Sequence, residues 1–341
     1  MIKLVFVIIG TLIGAGFASG QEMYLFFFSY GIRGLIGIFI SSILMGIVIY
    51  KSLIFIHKYN VKTYKDFLEI FLKNPEERNY LNIKNIINIT INIFILVTFF
   101  IMIAGFGAYF EQQFGISSIF GSILLSFLCF VVFLTNVKGV IKASSILVPV
   151  LIIFITIIGI INLKNIDILN LNHYLKETND YKFILSSIVY CSYNSILLIP
   201  VLITLRNYVK SKKQVALISL TTTGIVILLS IIIFSLLIKV DVDITKLEMP
   251  IVYVVSKMLK IFNILYGFII LGSIFTTAIS LGTSLLQNTS KNKKSYTQVA
   301  LIMCITSCVI SRIGFSNLIN YLYPIFGYLG IIQILALVLK D

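Results

Sequence analysis

The stretch Gly10-Thr-Leu-Ile-Gly-Ala-Gly-Phe-Ala-Ser-Gly20, followed at once by Gln21 and Glu22, decides how the chain folds. It lies inside an apolar segment, with Leu4–Ile9 before it and Met23–Tyr30 after it. Each glycine inside a helix costs about 1 kcal/mol against alanine, and each admits backbone shapes that other residues resist. A membrane helix that carries Gly10, Gly14, Gly16 and Gly20 reads in two ways. In one, it is broken near mid-depth, and the freed N–H and C=O groups line a cavity or are held by protein, the usual architecture of a transporter's solute and ion site. In the other, it is a small-residue face that lets a neighbouring helix approach closely.

Working outward, the composition favours membrane. The chain has 341 residues, 59% hydrophobic and 12% charged, with a mean hydropathy of +1.04. That is not the composition of a soluble domain, and repeated apolar runs of roughly 20 residues define a polytopic membrane protein. The net charge of +14 does not imply nucleic acid, because the basic residues are scattered over short loops, as the positive-inside rule requires. The expected surroundings are a lipid bilayer, with no nucleic acid and no obligate protein partner evident. Cys129, Cys191, Cys304 and Cys308 all fall in apolar segments, so no loop disulfide framework exists. His57 and His173 are read as loop residues, and no histidine-based metal or catalytic cluster is visible. No phosphate loop, His-Glu-x-x-His pair or Ser/His/Asp arrangement appears, so the chain is not read as an enzyme, and no cofactor is expected. Lys3 before an apolar stretch raises a signal peptide, but apolar character resumes at Met23–Tyr30, which suits a span.

Ten spans are predicted, at about 3–30, 33–57, 86–110, 116–135, 139–162, 182–205, 213–238, 261–287, 296–313 and 315–339. Residues 62–73 read as a surface helix with Tyr64, Phe67, Leu68 and Phe71 on one stripe. Residues 247–260, with Pro250 at a helix start, read as a loop helix capping a vestibule. Lys3, the Lys51–Lys84 stretch, Lys138, Lys142, Arg206, Lys210, Lys212, Lys213, Lys291, Lys293, Lys294 and Lys340 gather on one side. This places both termini in the cytoplasm of a multi-pass plasma-membrane protein. Asp167, Glu177, Asp180, Asp241, Asp243 and Glu248 fall on the other side.

Ten spans divide into five and five, and an odd half makes the second an inverted copy of the first. The repeats would run over about 3–162 and 182–339 of a single transmembrane domain. The sixth span should then be broken as well. It lacks glycine but carries Tyr190, Cys191, Ser192, Tyr193, Asn194 and Ser195, with Pro200 downstream. An asparagine in hydrocarbon needs partners; a polar helix–helix contact is the alternative to a site.

Three constellations carry chemistry. N–H groups from about Ala15 to Ser19 (Ala15, Gly16, Phe17, Ala18 and Ser19) would start the second half of the broken helix and attract an anionic group. Glu22 is an acidic residue within a span, and intramembrane ionisable groups are functional by default. It would meet a substrate ammonium, carry a proton, or face the outer vestibule. The eighth span holds Ser273, Thr276, Thr277, Ser280, Thr283 and Ser284. Their oxygens suit a hard cation such as sodium, or serve as glue between helices. Gly105 and Gly107 in the third span, and Tyr321–Gly330 in the tenth, would wall a pocket or simply pack.

At these residues the chain resembles a family. Gly10-Thr-Leu-Ile-Gly-Ala-Gly-Phe-Ala-Ser-Gly-Gln-Glu22 looks like the signature of YkvI-like bacterial membrane proteins, with further likeness at Met102–Gly105, Glu111–Gly115, Tyr190–Asn194 and Tyr323–Tyr328. That family is similar to the amino acid–polyamine–organocation superfamily. The resemblance implies an all-α fold of ten transmembrane helices, a five-plus-five inverted repeat of LeuT type, with helices 1 and 6 broken. It implies substrate contacts from Gly14–Ser19, Glu22, Gly105, Tyr190, Ser192, Tyr193 and Asn194. It also implies sodium ligands: backbone carbonyls at Gly10, Ile13 and Ser273, and hydroxyls at Thr276 and Thr277. Proton-coupled relatives place a lysine in the fifth span, where Leu147–Ile153 has none. The expectation is a secondary active transporter of a small amino acid or related amine solute, sodium-coupled, working by alternating access. The alternative is a non-transporting solute sensor that keeps the fold, as in spore-germinant receptor subunits.

Overall fold

The structure, a computed structural model, describes residues 1–71, 80–163, 181–244, 247, 249–290, 292–313 and 315–339. Among them every regular element is helical. The glycine-rich stretch forms three short helices in place of one span: α1 (Ile2–Leu12), α2 (Ala15–Ser19) and α3 (Gln21–Phe26). Then come α4 (Ile32–Tyr59), α5 (Tyr64–Phe71), α6 (Tyr80–Phe114), α7 (Ser118–Leu134) and α8 (Asn136–Leu163). The second half holds α9 (Lys182–Thr204), α10 (Lys212–Leu237), α11 (Pro250–Ser256), α12 (Lys260–Thr289), α13 (Lys293–Ile310) and α14 (Phe315–Leu339).

Six of these helices are long and apolar enough to cross a bilayer, and Ile2–Leu12, Ser118–Leu134 and Leu318–Ile331 are shorter apolar helices. The side chains show where lipid lies. On α8, Ile146, Val150, Ile153, Ile157 and Ile160 are exposed, whereas Val148, Leu151, Ile155 and Ile158 are buried. Both stripes recur every three to four residues, the period of a helix face. A soluble protein does not leave such apolar ridges open to water; a lipid-facing helix does.

The centre is built from α1 and α9. Helix α9 packs on α4 and α14, and α1 contacts α8, α9, α10 and α12. The apolar window of α9 is 94% buried, against 33% for α8, so α9 is shielded from lipid and α8 faces it. Tyr64, Phe67 and Leu68 of α5 are buried, as the predicted stripe requires. Asn288 fixes that helix to the bundle: its Oδ1 accepts from the Tyr64 N–H at 3.0 Å, and its Nδ2 donates to Asn88 at 3.1 Å and Asn92 at 2.6 Å. His57 lies in the last turn of α4, not in a loop; His173 lies outside the described residues. So do Lys73, Arg78, Lys291 and Lys340 of the charge bias, with Asp167, Glu177, Asp180 and Glu248.

The sixth span corrects the sequence reading. Helix α9 runs unbroken from Lys182 to Thr204. Its polar run is consumed locally: Ser187, Ser192 and Ser195 donate to the carbonyls of Phe183, Ile188 and Cys191 at 2.6, 2.7 and 2.6 Å, and Asn194 Nδ2 donates to the Tyr190 carbonyl at 3.0 Å. Such back-bonding to the preceding turn satisfies hydroxyls in a membrane without opening the helix. With no glycine available, nothing lowers the cost of a break there.

Candidate functional site

The first span is interrupted twice. Ile13 leaves the helix at φ −92°, ψ 77°, and Gly14 is extended at φ −93°, ψ −164°. Six residues on, Gly20 adopts φ +87°, a left-handed shape that favours glycine. The break uncovers carbonyls at the end of α1. The Ile13 N–H still reaches the Ile9 carbonyl at 2.8 Å, so Gly10 is the first carbonyl that loses its helical partner. Thr277 of α12 replaces that partner: its Oγ1 donates to Gly10 O at 2.8 Å and lies 3.4 Å from Thr11 O. A hydroxyl has one proton and two lone pairs. Donation to Gly10 therefore leaves the Thr277 oxygen free to accept or to ligate.

Of the residues matched to a sodium site, Gly10, Thr276 and Thr277 come together here. A Cβ placed on Gly10 would sit 3.2 Å from Thr276 Oγ1, and one on Gly14 would sit 3.1 Å from Thr277 Oγ1. Thr276 Oγ1 donates to the Ser273 carbonyl at 3.0 Å, and Ser273 Oγ to the Ile270 carbonyl at 2.8 Å. Gly10, Ile13, Ser273, Thr276 and Thr277 are all buried. The set is neutral, oxygen-rich and dry, which suits a hard monovalent cation.

In the second half of the span α2 packs on α6, α11 and α12, and α3 on α9, α10 and α14. Glu22, 3% exposed, accepts a hydrogen bond from the Tyr193 hydroxyl of α9 and another from the Phe17 N–H of α2. Its carboxylate also fills the space beside Gly16 that a Cβ would need. Among the described residues no basic side chain pairs with it. Aromatic rings enclose the position: Tyr193 stacks on Tyr323 of α14 at 4.6 Å and meets Tyr190 edge-on at 5.4 Å, with Phe26 at 5.6 Å. Gly105 of α6 lies against Ala15 and the ring of Phe315: a Cβ placed on it would sit 3.4 Å from the Ala15 Cβ and 2.7 Å from the ring. Ser19 Oγ donates to the Gly16 carbonyl at 3.1 Å. Ser192 and Asn194 spend their donors inside α9, as described above.

Two contacts were missed in the sequence. The Tyr266 hydroxyl of α12 donates to the Ala18 carbonyl, and the Gln21 amide to the Leu247 carbonyl. Tyr266, Ser273 and Thr277 recur at intervals of seven and four residues, one helix face, and that spacing marks Tyr266 as part of the same wall. Gln21 carries no such signal, since its partner is main chain in a distant connection. Above it, Ile251 of α11 packs onto Gly20, with Leu237 beside it. The predicted capping helix therefore rests on the second interruption. Outside the span, Asp241 joins α11 through Lys257 at 2.6 Å and Tyr253 at 2.8 Å. The Lys257 hydrogen bond, then that of Tyr253, holds the Asp241 carboxyl below its ordinary value, and the same carboxylate raises Lys257.

The helical membrane bundle, with its interrupted first helix between a hydroxyl-bearing helix and an aromatic one, has a LeuT-like fold by superposition on solved structures. The chain superposes on the structure of MhsT in complex with L-phenylalanine with a TM-score of 0.72, covering 98% of this chain and 88% of that one at 16% identity. On a substrate-bound, outward-open Na+-coupled sialic acid symporter the TM-score is 0.67, covering 96% and 75% at 14% identity. At such identities the likeness shows the fold.

The chain belongs to the YkvI family of bacterial membrane proteins: it is 31% identical to the uncharacterised membrane protein YkvI of Bacillus subtilis (strain 168), over 99% of this chain and 95% of that protein. It is also 25% identical to YyaD of the same organism, over 99% and 96%. No family model matches the chain.

Proposed function

We propose that the protein is a secondary active transporter that moves a small amino acid or related amine solute together with sodium. In this reading the Lys- and Arg-rich face is cytoplasmic, with both termini on it. Repeats of about 3–162 and 182–339 rock around the break. Sodium lies between the end of α1 and α12, held by Gly10, Ile13, Ser273, Thr276 and Thr277. The solute lies between α2 and α9. Its ammonium meets Glu22, which has no counter-ion among the described residues; Gly14–Ser19, Gly105, Tyr190 and Tyr193 complete the walls, with Ser192 and Asn194 behind them. Because α9 is intact, its contribution comes from side chains and not from bare main chain. The observation that carries the reading is the Thr277 hydroxyl on the orphaned Gly10 carbonyl at 2.8 Å. Support comes from the solved structures of similar fold, one a Na+-coupled symporter and one holding an amino acid.

Uptake of radiolabelled amino acids into liposomes, with and without an imposed sodium gradient, tests the proposal. Accumulation that follows the sodium gradient supports it; uptake indifferent to sodium and proton gradients alike removes the coupling. The unbroken α9 favours a second reading, a sensor that binds solute and signals without moving it. Saturable binding to the purified protein with no uptake by liposomes would select that reading.

A further inference from the structure

On the Lys- and Arg-rich face a cavity of about 800 Å3 opens between four connections that lie far apart in sequence. Lys62 enters it from the α4–α5 connection, Lys138 from the start of α8, Arg206 from the turn after α9, and Lys293 from the start of α13. None of the described lining residues is acidic. The nearby Asp66 carboxylate is turned onto the N–H groups of Lys62 and Thr63, at 3.3 and 3.0 Å. Among the described residues Lys62, Lys138 and Lys293 form no ion pair. Arg206 Nη1 donates to the Lys62 and Ile203 carbonyls at 3.4 Å each, which ties it to the α4–α5 connection.

The positive-inside rule accounts for the face on which these residues lie. It does not account for four cations from four connections lining one cavity, where an anion would be attracted by all of them. The starts of α8 and α13 also open here, and their first-turn amides add partial positive charge. Asn292, which also lines the cavity, caps α13 by accepting from the Ser295 N–H with Oδ1 at 2.8 Å. Four cationic groups exceed what one carboxylate neutralises; a phosphate group brings one or two negative charges and two or three terminal acceptor oxygens, so it can be met from several connections at once.

We propose that this cavity binds a phosphate group, carried either by a soluble compound or by an anionic lipid, and that the bound phosphate ties the four connections together. It is separate from the break in the first span, shares no residue with it, and stands whether or not sodium drives transport.

The test uses the purified full chain. Thermal unfolding in detergent is followed as inorganic phosphate or pyrophosphate replaces chloride at constant ionic strength. In parallel, nanodiscs of phosphatidylglycerol are compared with nanodiscs of phosphatidylcholine. A saturable rise in midpoint with the soluble anions identifies a soluble ligand; a rise confined to phosphatidylglycerol identifies a lipid headgroup. In either case Lys138→Gln and Lys293→Gln are each expected to raise the half-saturating concentration, or lower the phosphatidylglycerol preference, about tenfold, as loss of a charge-assisted hydrogen bond requires. Lys138→Arg should restore it. Where a glutamine variant fails to fold, pyrophosphate or phosphatidylglycerol must protect Lys138 and Lys293 of the unaltered chain from an amine-reactive label. A midpoint shift equal to that of chloride, a shift untouched by the variants, or unprotected lysines would overturn the proposal.

Discussion

Thr277→Val separates the two roles of one hydroxyl. Valine keeps the shape and removes the oxygen, so no cavity opens. The lost hydrogen bond to Gly10 is 2.8 Å long, with a net value of about 1 kcal/mol. Its removal also strands a buried carbonyl that has already lost its helical donor, so the cost should reach about 1–3 kcal/mol. That penalty is expected whether or not sodium binds. The diagnostic is the sodium response. Removing one oxygen ligand from a cation is comparable to removing a charged hydrogen bond, roughly 1.5–3 kcal/mol, which weakens sodium binding about tenfold to a hundredfold. At a sodium concentration near 100 times the wild-type Kd, linkage stabilises the native protein by about 2.7 kcal/mol. With binding about 30-fold weaker, the same concentration gives only about 0.9 kcal/mol. Unfolding midpoints measured against sodium, with potassium as the balancing ion, read that difference directly. Thr277→Ser should restore the response. Thr98→Val, which removes a buried hydroxyl bonded within α6 to the Phe94 carbonyl at 2.9 Å, should leave it unchanged. If Thr277→Val lowers basal stability but shifts with sodium as the wild type does, the hydroxyl is a cap for α1 and nothing more.

Further outcomes follow from the same contacts. Tyr193→Phe leaves the Glu22 carboxylate with one donor fewer and is expected to cost about 1.5–3 kcal/mol, while Tyr193→Phe with Glu22→Gln should cost less than the sum of the two, by about 0.5–3 kcal/mol in a double-mutant cycle of unfolding. Gly16→Ala puts a methyl where the Glu22 carboxylate lies, with Glu22 Cγ at 2.8 Å from it; the expected overpacking cost is about 1–3 kcal/mol, with loss of solute uptake. Gly224→Ala, where nothing lies within 4 Å, should instead stabilise α10 by about 0.5–1 kcal/mol and leave uptake intact. Asp241 is depressed in the folded state, so its tie to Lys257 is present above the unfolded carboxylate value and lost as pH falls through the folded one. The pair is exposed, at 48% and 63%, so the effect on global stability is small. Limited proteolysis of the connection before α11 should nonetheless quicken on acidification, and Asp241→Asn should abolish that pH dependence.

The success at the first span and the failure at the sixth share one physical cause. At Gly10–Gly20 the signal is intrinsic to the backbone: glycine weakens the helix wherever it stands, so the interruption is legible without knowing any neighbour. At Tyr190–Ser195 the signal is a set of polar side chains, and their meaning depends on where their hydrogen bonds go. Serine and asparagine can hold a neighbouring helix, line a cavity or fold back on their own carbonyls, and the residue letters do not distinguish these outcomes. Here each of the serines at 187, 192 and 195 folds back. The Asn288 cluster, the Gln21–Leu247 contact and the basic cavity were illegible for a related reason: each joins segments remote in sequence, and no periodicity encodes such meetings. Thr277 lies between these extremes. Its helix face could be read, but the reason for a hydroxyl there appears only once α1 is seen to end beneath it, with the Gly10 carbonyl left open. A break in one helix thus creates a demand that a second helix must answer. The Gly10 carbonyl is met from α12, by the Thr277 hydroxyl, while Val148 of α8 packs on the same glycine without offering a donor. The sixth helix makes no such demand and needed no such partner, so the asymmetry between the two central helices is what their residues require: main chain is offered from one side and side chains from the other.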